Sequence, residues 1–231
     1  MSKNTKIEWC DATFNPWRGC TKVSAGCASC YAETFSGRNP KTLGVWGPKG
    51  TRVVAAESMW REPVKWNREA ACTCGGGFRG AHSPYCPQAN RPRVFCASLA
   101  DVLEDWTGPM VDAKGDWLHQ CDSCKEPDGR AFWMTCKPYD LKRVYKEHAC
   151  GEHLRPATMQ DVRRRLFALI DATPNLDWLV LTKRPENIAR MMPDYERTVP
   201  SQNVFLDPED CKRREVELGK VYESTMTVSG V

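Results

Sequence analysis

The chain has 231 residues, 41% of them hydrophobic, with 13 cysteines and a formal net charge of +4. That length suits one barrel-type domain or two small ones, with apolar residues enough for a core, and the mild charge permits a polyanionic partner without demanding one. No apolar run approaches the ~20 residues that cross a bilayer, so no membrane partner is expected. The opening Met-Ser-Lys-Asn-Thr-Lys lacks the apolar region of a signal peptide, so a cytoplasmic protein is expected. There the cysteines read as metal ligands and free thiols, not as a disulfide framework.

In chain order, Ile7-Glu8-Trp9 predicts a short strand and Asn15-Pro16 a turn. Trp9, Phe14 and Trp17 read as aromatics packed over the core; the sharper alternative sets Trp17 or Arg18 beside the loop that follows. That loop holds Cys20, Cys27 and Cys30 at C-x6-C-x2-C spacing between Gly19 and the helix-forming run Ala28–Phe35. Thiolates ligate iron–sulfur clusters and zinc, and a structural zinc normally takes a fourth ligand close by. Three thiolates with one open position suit a cluster that binds a small molecule at its free iron. Gly19 and Gly26 allow tight turns, and Cys30 is expected in the first turn of a short helix, near its positive end. Three buried free thiols are the plain alternative.

Residues 37–52 are dense in glycine and proline and predict a loop anchored by Val45-Trp46. Residues 53–68 carry Trp60, Val64 and Trp66 among Arg61, Lys65 and Arg68, a solvated helix with buried tryptophans or a basic, aromatic surface for nucleic acid. Cys72, Cys74, His82 and Cys86 lie in a glycine-rich stretch and can satisfy tetrahedral zinc; a loop with free thiols is the alternative. Arg93–Ser98 predicts a strand, with Ser98 and Asp101 just past its end and Ser98 also a candidate cap for a helix near Leu99. Cys121 and Cys124 form a C-x2-C knuckle followed by Cys136, with His119, His148, Cys150 or His153 as the fourth ligand and Cys150 preferred. Zinc and a second iron–sulfur cluster both fit that set, and Arg130–Met134 predicts a strand of a zinc-ribbon-like hairpin.

Thr158 caps a helix over 157–172 whose apolar stripe is Val162, Leu166, Leu169 and Ile170, and Arg163-Arg164-Arg165 reads as a partly solvated face. Trp178–Thr182 is a continuous apolar run, as in a buried parallel strand. Lys183 and Arg184 fall at its C-terminal end, where two cations suit a carboxylate or phosphate, and Pro185 opens a helix to Met192. Asn203–Leu206 predicts one more strand before a charged segment over 207–231.

The run from Lys6 to Glu33, the run Arg93–Asp101 ending Ser-x-x-Asp, and Asp177–Glu186 with its Leu-Thr-Lys-Arg-Pro cover about a fifth of the chain. They resemble a three-cysteine protein family of phages and bacteria, of unknown function and related to the radical SAM superfamily. The resemblance implies a 4Fe–4S cluster on Cys20, Cys27 and Cys30 and S-adenosylmethionine (SAM) at the open iron. Ser98, Asp101, Lys183 and Arg184 are then the cofactor-binding candidates. It implies an enzyme: reductive cleavage of SAM, fed by an electron donor such as a flavodoxin or ferredoxin, starts radical chemistry on an unidentified substrate. A phage origin would place it in the host cytoplasm and makes a nucleic acid or nucleotide plausible as substrate. The C-x6-C loop departs from the C-x3-C-x2-C spacing usual in radical SAM enzymes.

The expected fold class is α/β: a partial (βα) barrel of radical SAM type, incomplete at the C-terminus, with Cys-rich metal-binding insertions. Residues 1–70 carry the cluster loop, 71–92 a Cys/His-rich insertion, 93–111 a strand and helix, 112–155 the zinc-ribbon-like insertion, 156–206 helix–strand units and 207–231 the charged segment. About four strands are countable where such a barrel needs about six, so a second chain completing the barrel is one expectation. Two other readings stand beside this one. One is a non-catalytic zinc protein contacting nucleic acid or a host protein. The other is a split enzyme that holds the cluster but needs a partner.

Overall fold

The structure is a computed structural model that describes residues 2–3, 5–71, 91–125, 131–136 and 154–192. All of them belong to the first of the chain's two units, Met1–Met192. The Cys72, Cys74, His82 and Cys86 set, the ligand candidates His148, Cys150 and His153, the strand expected at 203–206 and the segment 207–231 lie outside the described residues.

The described residues form ten strands in two sheets. The first has the order β1 (Ser2–Lys3), β2 (Ala12–Phe14), β5 (Arg93–Cys96), β10 (Asp177–Val180). β2, β5 and β10 run parallel, with Ala12 beside Val94 and Val94 beside Trp178, while β1 is antiparallel to β2. Val94, Phe95 and Cys96 are buried one after another, the unbroken apolar run that a central parallel strand requires because both faces are covered. The second sheet runs β3 (Trp17–Arg18), β4 (Arg52–Val54), β6 (Met110–Val111), β7 (Trp117–Lys125), β8 (Ala131–Cys136), with β9 (Leu154–Pro156) against the other edge of β7. β4 and β6 are parallel and the other pairs antiparallel. The fold is therefore mixed α/β, and the described strands make two sheets with no closed barrel among them.

Helices α1 (Tyr31–Arg38) and α2 (Pro40–Leu43) follow the cysteine loop, and α3 (Glu57–Glu69) follows β4. Trp60, Pro63 and Trp66 are the buried face of α3, the three-residue spacing that stacks side chains on one side of a helix. Phe14 of β2 meets Trp60 edge-on at 5.2 Å and Trp178 of β10 at 5.7 Å, so α3 and the parallel strands share one aromatic core. α4 (Met159–Asp171) begins with a capping box in which Thr158 and Asp161 exchange side-chain to backbone hydrogen bonds. After β10, a 3-10 turn at Pro185–Asn187 leads into α5 (Ile188–Met191).

Several local expectations change. Residues 7–9 turn instead of pairing, with the Cys10 N–H bonded to the Ile7 carbonyl, and the strand starts at Ala12. Ser98 caps no helix, since 98–100 is a turn. Val45 and Val64 are exposed, so neither anchors the core; Leu43 and Trp66 are buried instead. In the arginine run, Arg163 is buried and donates to the Val102 and Glu104 carbonyls, while Arg165 forks onto Glu57 and lies over the Trp60 ring. Only Arg164 is exposed. No helix among the described residues is long and apolar enough to cross a membrane.

Candidate metal centre

Because β2, β5 and β10 are parallel, the loops leaving their C-terminal ends gather at one edge of the sheet, where α/β proteins build their sites. The first loop carries Gly19 and Cys20, the second Ser98 and Asp101, the third Thr182 to Arg184. Hydrogen bonds tie them together. The Gly19 N–H donates to the Leu99 carbonyl at 3.0 Å. Asn15 accepts from the Leu99 N–H at 2.7 Å and donates to the Ser98 hydroxyl at 3.0 Å, and the Tyr31 hydroxyl donates to the Ser98 carbonyl at 2.5 Å. Gly19 sits at φ +107°, and a Cβ there would lie 2.3 Å from the Thr51 carbonyl oxygen, so the chain can enter the cysteine loop at this point only through glycine.

Behind Cys20 lies a buried network of four charges. Arg52 donates to both carboxylate oxygens of Glu104 at 2.7 Å and to the Thr21 hydroxyl at 2.8 Å. Arg184 donates to Asp101 at 2.9 Å, to the Thr21 carbonyl at 2.6 Å and to the Cys20 sulfur at 3.4 Å. Asp101 also accepts from the Thr182 hydroxyl and from the backbone N–H groups of Lys183 and Leu103, and Glu104 accepts from the Thr21 N–H. All four charged side chains are essentially shut off from water. A buried charge persists only when paired and hydrogen-bonded, and here each pairing also fixes the backbone of Cys20-Thr21.

The three cysteines share one electrostatic neighbourhood. Burial pushes the Cys20 thiol up to about 11, with the Glu104 carboxylate adding to the rise and Arg184 opposing it. Cys27 ends the 3-10 turn Ala25–Cys27 with its sulfur 3.6 Å from the Ser24 hydroxyl. Burial pushes its thiol up, but hydrogen bonds from Val23 and Ser24 and the charge of Arg184 together hold it below the ordinary thiol value. Cys30 is the N-cap residue of α1, one position before the helix rather than inside its first turn. Lys22 is raised chiefly by its bond to Glu33, and the Cys30 and Cys27 sulfurs add to that. Lys183 is exposed and reaches over Gly26, its Nζ 3.5 Å from where a Cβ would stand.

No three His, Cys, Asp or Glu side chains among the described residues are grouped closely enough to hold one metal ion. A cubane cluster asks less convergence of its ligands, since each thiolate binds a different iron. The donor set fits such a cluster in chemistry: three thiols and the cations Lys22, Lys183 and Arg184 around what would be an anionic group.

The other expected residues divide. Of Ser98, Asp101, Lys183 and Arg184, all four reach the strand-end region, but Ser98, Asp101 and Arg184 are engaged with protein partners, and Lys183 is the one exposed to an incoming ligand. Cys121 and Cys124 lie on β7. Cys136 pairs with Trp117 on the neighbouring strand, four positions or about 13 Å along β7 from Cys121 and farther from Cys124, so the strand register does not bring it to that knuckle. His119 on β7 is buried with its ring nitrogen 3.2 Å from the Trp117 carbonyl.

Sequence reasoning missed Arg52, Glu104, Asn15, Tyr31 and Thr21. Glu104 had a signal, since it follows Asp101 by three positions and a turn sets both carboxylates on one side. Arg52 had none: it closes the stretch 37–52 that reads as a loop, whereas the structure starts strand β4 there.

A family model described as "Protein of unknown function (DUF5131)" matches residues 4–124, more than half of the chain. The chain belongs to this family. The DUF5131 match spans the cysteine loop, Arg52, Asp101 and Glu104, and stops short of Lys183 and Arg184. A search of the curated proteins and of the solved structures gives no match.

Proposed function

We propose that this DUF5131 chain is an iron–sulfur protein of radical SAM type, with Cys20, Cys27 and Cys30 holding a 4Fe–4S cluster whose fourth iron takes SAM. The observation that carries the reading is the convergence of the β2, β5 and β10 loops on Cys20, with Arg184 donating to its sulfur. The parallel strands β2, β5 and β10, with the three-cysteine loop after β2, are compatible with part of such a barrel. Bound there, the cluster and SAM supply one-electron cleavage that starts radical chemistry.

The chain's own residues then divide the work. Asn15, Tyr31 and the Gly19 N–H hold the cysteine loop against the end of β5. The Arg52–Glu104–Arg184–Asp101 network fixes Thr21 from behind. Lys183, exposed over Gly26, would be the residue to hold the carboxylate of SAM or a substrate phosphate. A cavity of about 610 Å³ walled by Glu104, Trp106, Trp117, Met159, Arg163 and Met191 lies within the 300–1,000 Å³ range of small-molecule sites; of the network behind Cys20 it shares Glu104 alone. A nucleic acid or nucleotide substrate and a flavodoxin or ferredoxin as reductant follow from the resemblance.

The test is iron, sulfide and zinc content after anaerobic purification, with EPR of the reduced protein with and without SAM and assay of 5′-deoxyadenosine. About four irons per chain and a spectrum changed by SAM is the expected result. Zinc without iron overturns the reading in favour of a zinc protein.

A further inference from the structure

We propose that Arg184 is the positioning residue for Cys20, acting through a directed N–H···S hydrogen bond that makes the metal centre easier to reduce. The inference rests on the iron–sulfur reading above.

Arg184 is buried, and its fork is aimed by four partners, the longest reach being to Glu104 at 3.5 Å. Nη1 reaches Asp101 at 2.9 Å and the Cys20 sulfur at 3.4 Å, and Nη2 reaches the Thr21 carbonyl at 2.6 Å. Asp101 cannot swing away, because Thr182, Lys183 and Leu103 also donate to it. Arg184 is thus held to the residue on either side of the Cys20–Thr21 peptide, and its reach to sulfur is over-determined. This placement differs from the one expected of a cation at a strand end, which would point outward to an anionic ligand; Lys183 does that.

The charge count shows how Arg184 acts. Arg52 and Arg184 are matched by Asp101 and Glu104, so the network brings no net positive charge to Cys20. Its effect comes from the direction of one N–H group. Hydrogen bonds to ligand sulfur are among the determinants of cluster potential, because they stabilise the more electron-rich, reduced state. Lysine in this position keeps the charge but has no planar fork to span Asp101, Thr21 and sulfur at once.

The experiment uses the full chain with its metal, wild type and Arg184→Lys. Iron content reports assembly, and a spectroscopic titration reports midpoint potential. Wild-type protein grown on ¹⁵N-arginine, reduced and measured by ENDOR, reports nitrogen next to the cluster without any substitution. Expected are iron retained in R184K, a potential more negative by at least the about 59 mV that corresponds to tenfold in a one-electron couple, and a ¹⁵N coupling in the wild type that R184K lacks. If R184K does not fold, the wild-type ¹⁵N spectrum decides by itself. An iron-replete chain with no ¹⁵N coupling, or with a potential indifferent to Arg184, overturns this inference alone. A wild-type chain free of iron overturns the cluster reading and this inference with it.

Discussion

Arg52 grips Glu104 with two hydrogen bonds of 2.7 Å, and neither side chain reaches water. The Arg52 guanidinium also lies 3.9 Å over the Trp106 ring, so one face of the cation is covered by an aromatic surface. Removing one partner leaves the other charge buried and uncompensated. Glu104→Gln should cost about 3–5 kcal/mol, seen as a lower midpoint in urea unfolding. Pairing it with Arg52→Met should recover part of the loss. A single variant as stable as the wild type would show that this pair does not hold the loop.

Gly19→Ala attacks the same loop from its entrance. The backbone is left-handed there and the added methyl meets the Thr51 carbonyl. Strain of this kind costs on the order of 1–3 kcal/mol, and the cheapest relief is to move Cys20. The expected outcome is a folded protein, by circular dichroism, with much reduced iron loading. Full loading with unchanged stability would contradict the tight entry.

In metal-free protein the thiols should differ in reactivity. Cys20 is pushed up to about 11 by burial, whereas Cys27 lies below its ordinary value of 9.0. At pH 8 the thiolate fraction of Cys27 then exceeds that of Cys20 by at least about a hundredfold, and the lower nucleophilicity of the more acidic thiol reduces the rate difference to about tenfold or more. Timed alkylation with iodoacetamide and peptide mass spectrometry should find Cys27 modified before Cys20. The reverse order would mean that access, not acidity, governs this loop.

The start of α4 carries an acid-sensitive contact. Burial pushes the Asp161 carboxyl up, but hydrogen bonds from Arg155 and Thr158 outweigh it and hold the group below the ordinary carboxylate value. A depressed folded-state value means stability that is complete above the unfolded value, near 3.9, and lost as pH falls through the folded one. The stability gap between wild type and Asp161→Asn should be present at pH 7 and shrink below about pH 4. A gap that is the same at pH 2 would remove the linkage.

Residues with local rules were legible from sequence. The Thr158 cap, the α4 stripe, the strands at 93–96 and 177–180 and the position of Lys183 and Arg184 at a strand end all follow from periodicity, capping or a continuous apolar run, but the run at 178–182 reads as a buried strand whereas β10 is half-buried and Leu181 exposed. The errors share a cause. Ser98 looks like a helix cap, but Asn15 and Tyr31 claim its turn, and both are distant in sequence. Arg163 looks solvated within a triple arginine, but the Val102 and Glu104 carbonyls take it inside. The knuckle of Cys121 and Cys124 invites Cys136, and the hairpin register sets it apart. Each was decided by a tertiary partner that no local window contains. The same holds for Arg184, whose charge was legible while its target, Cys20, was not.

The pairing of Ala12 with Val94 and of Val94 with Trp178 joins residues more than eighty positions apart at each step across the sheet. The entropy of closing such loops grows only with the logarithm of their length. The connecting segments can therefore lengthen or shorten at small thermodynamic cost while Cys20, Asp101 and Arg184 keep their places. Speed is another matter, because pairings so far apart form slowly. Cys20 and Arg184 meet only once β10 has docked, so until that strand is made a nascent chain leaves the Cys20 sulfur without its buried donor.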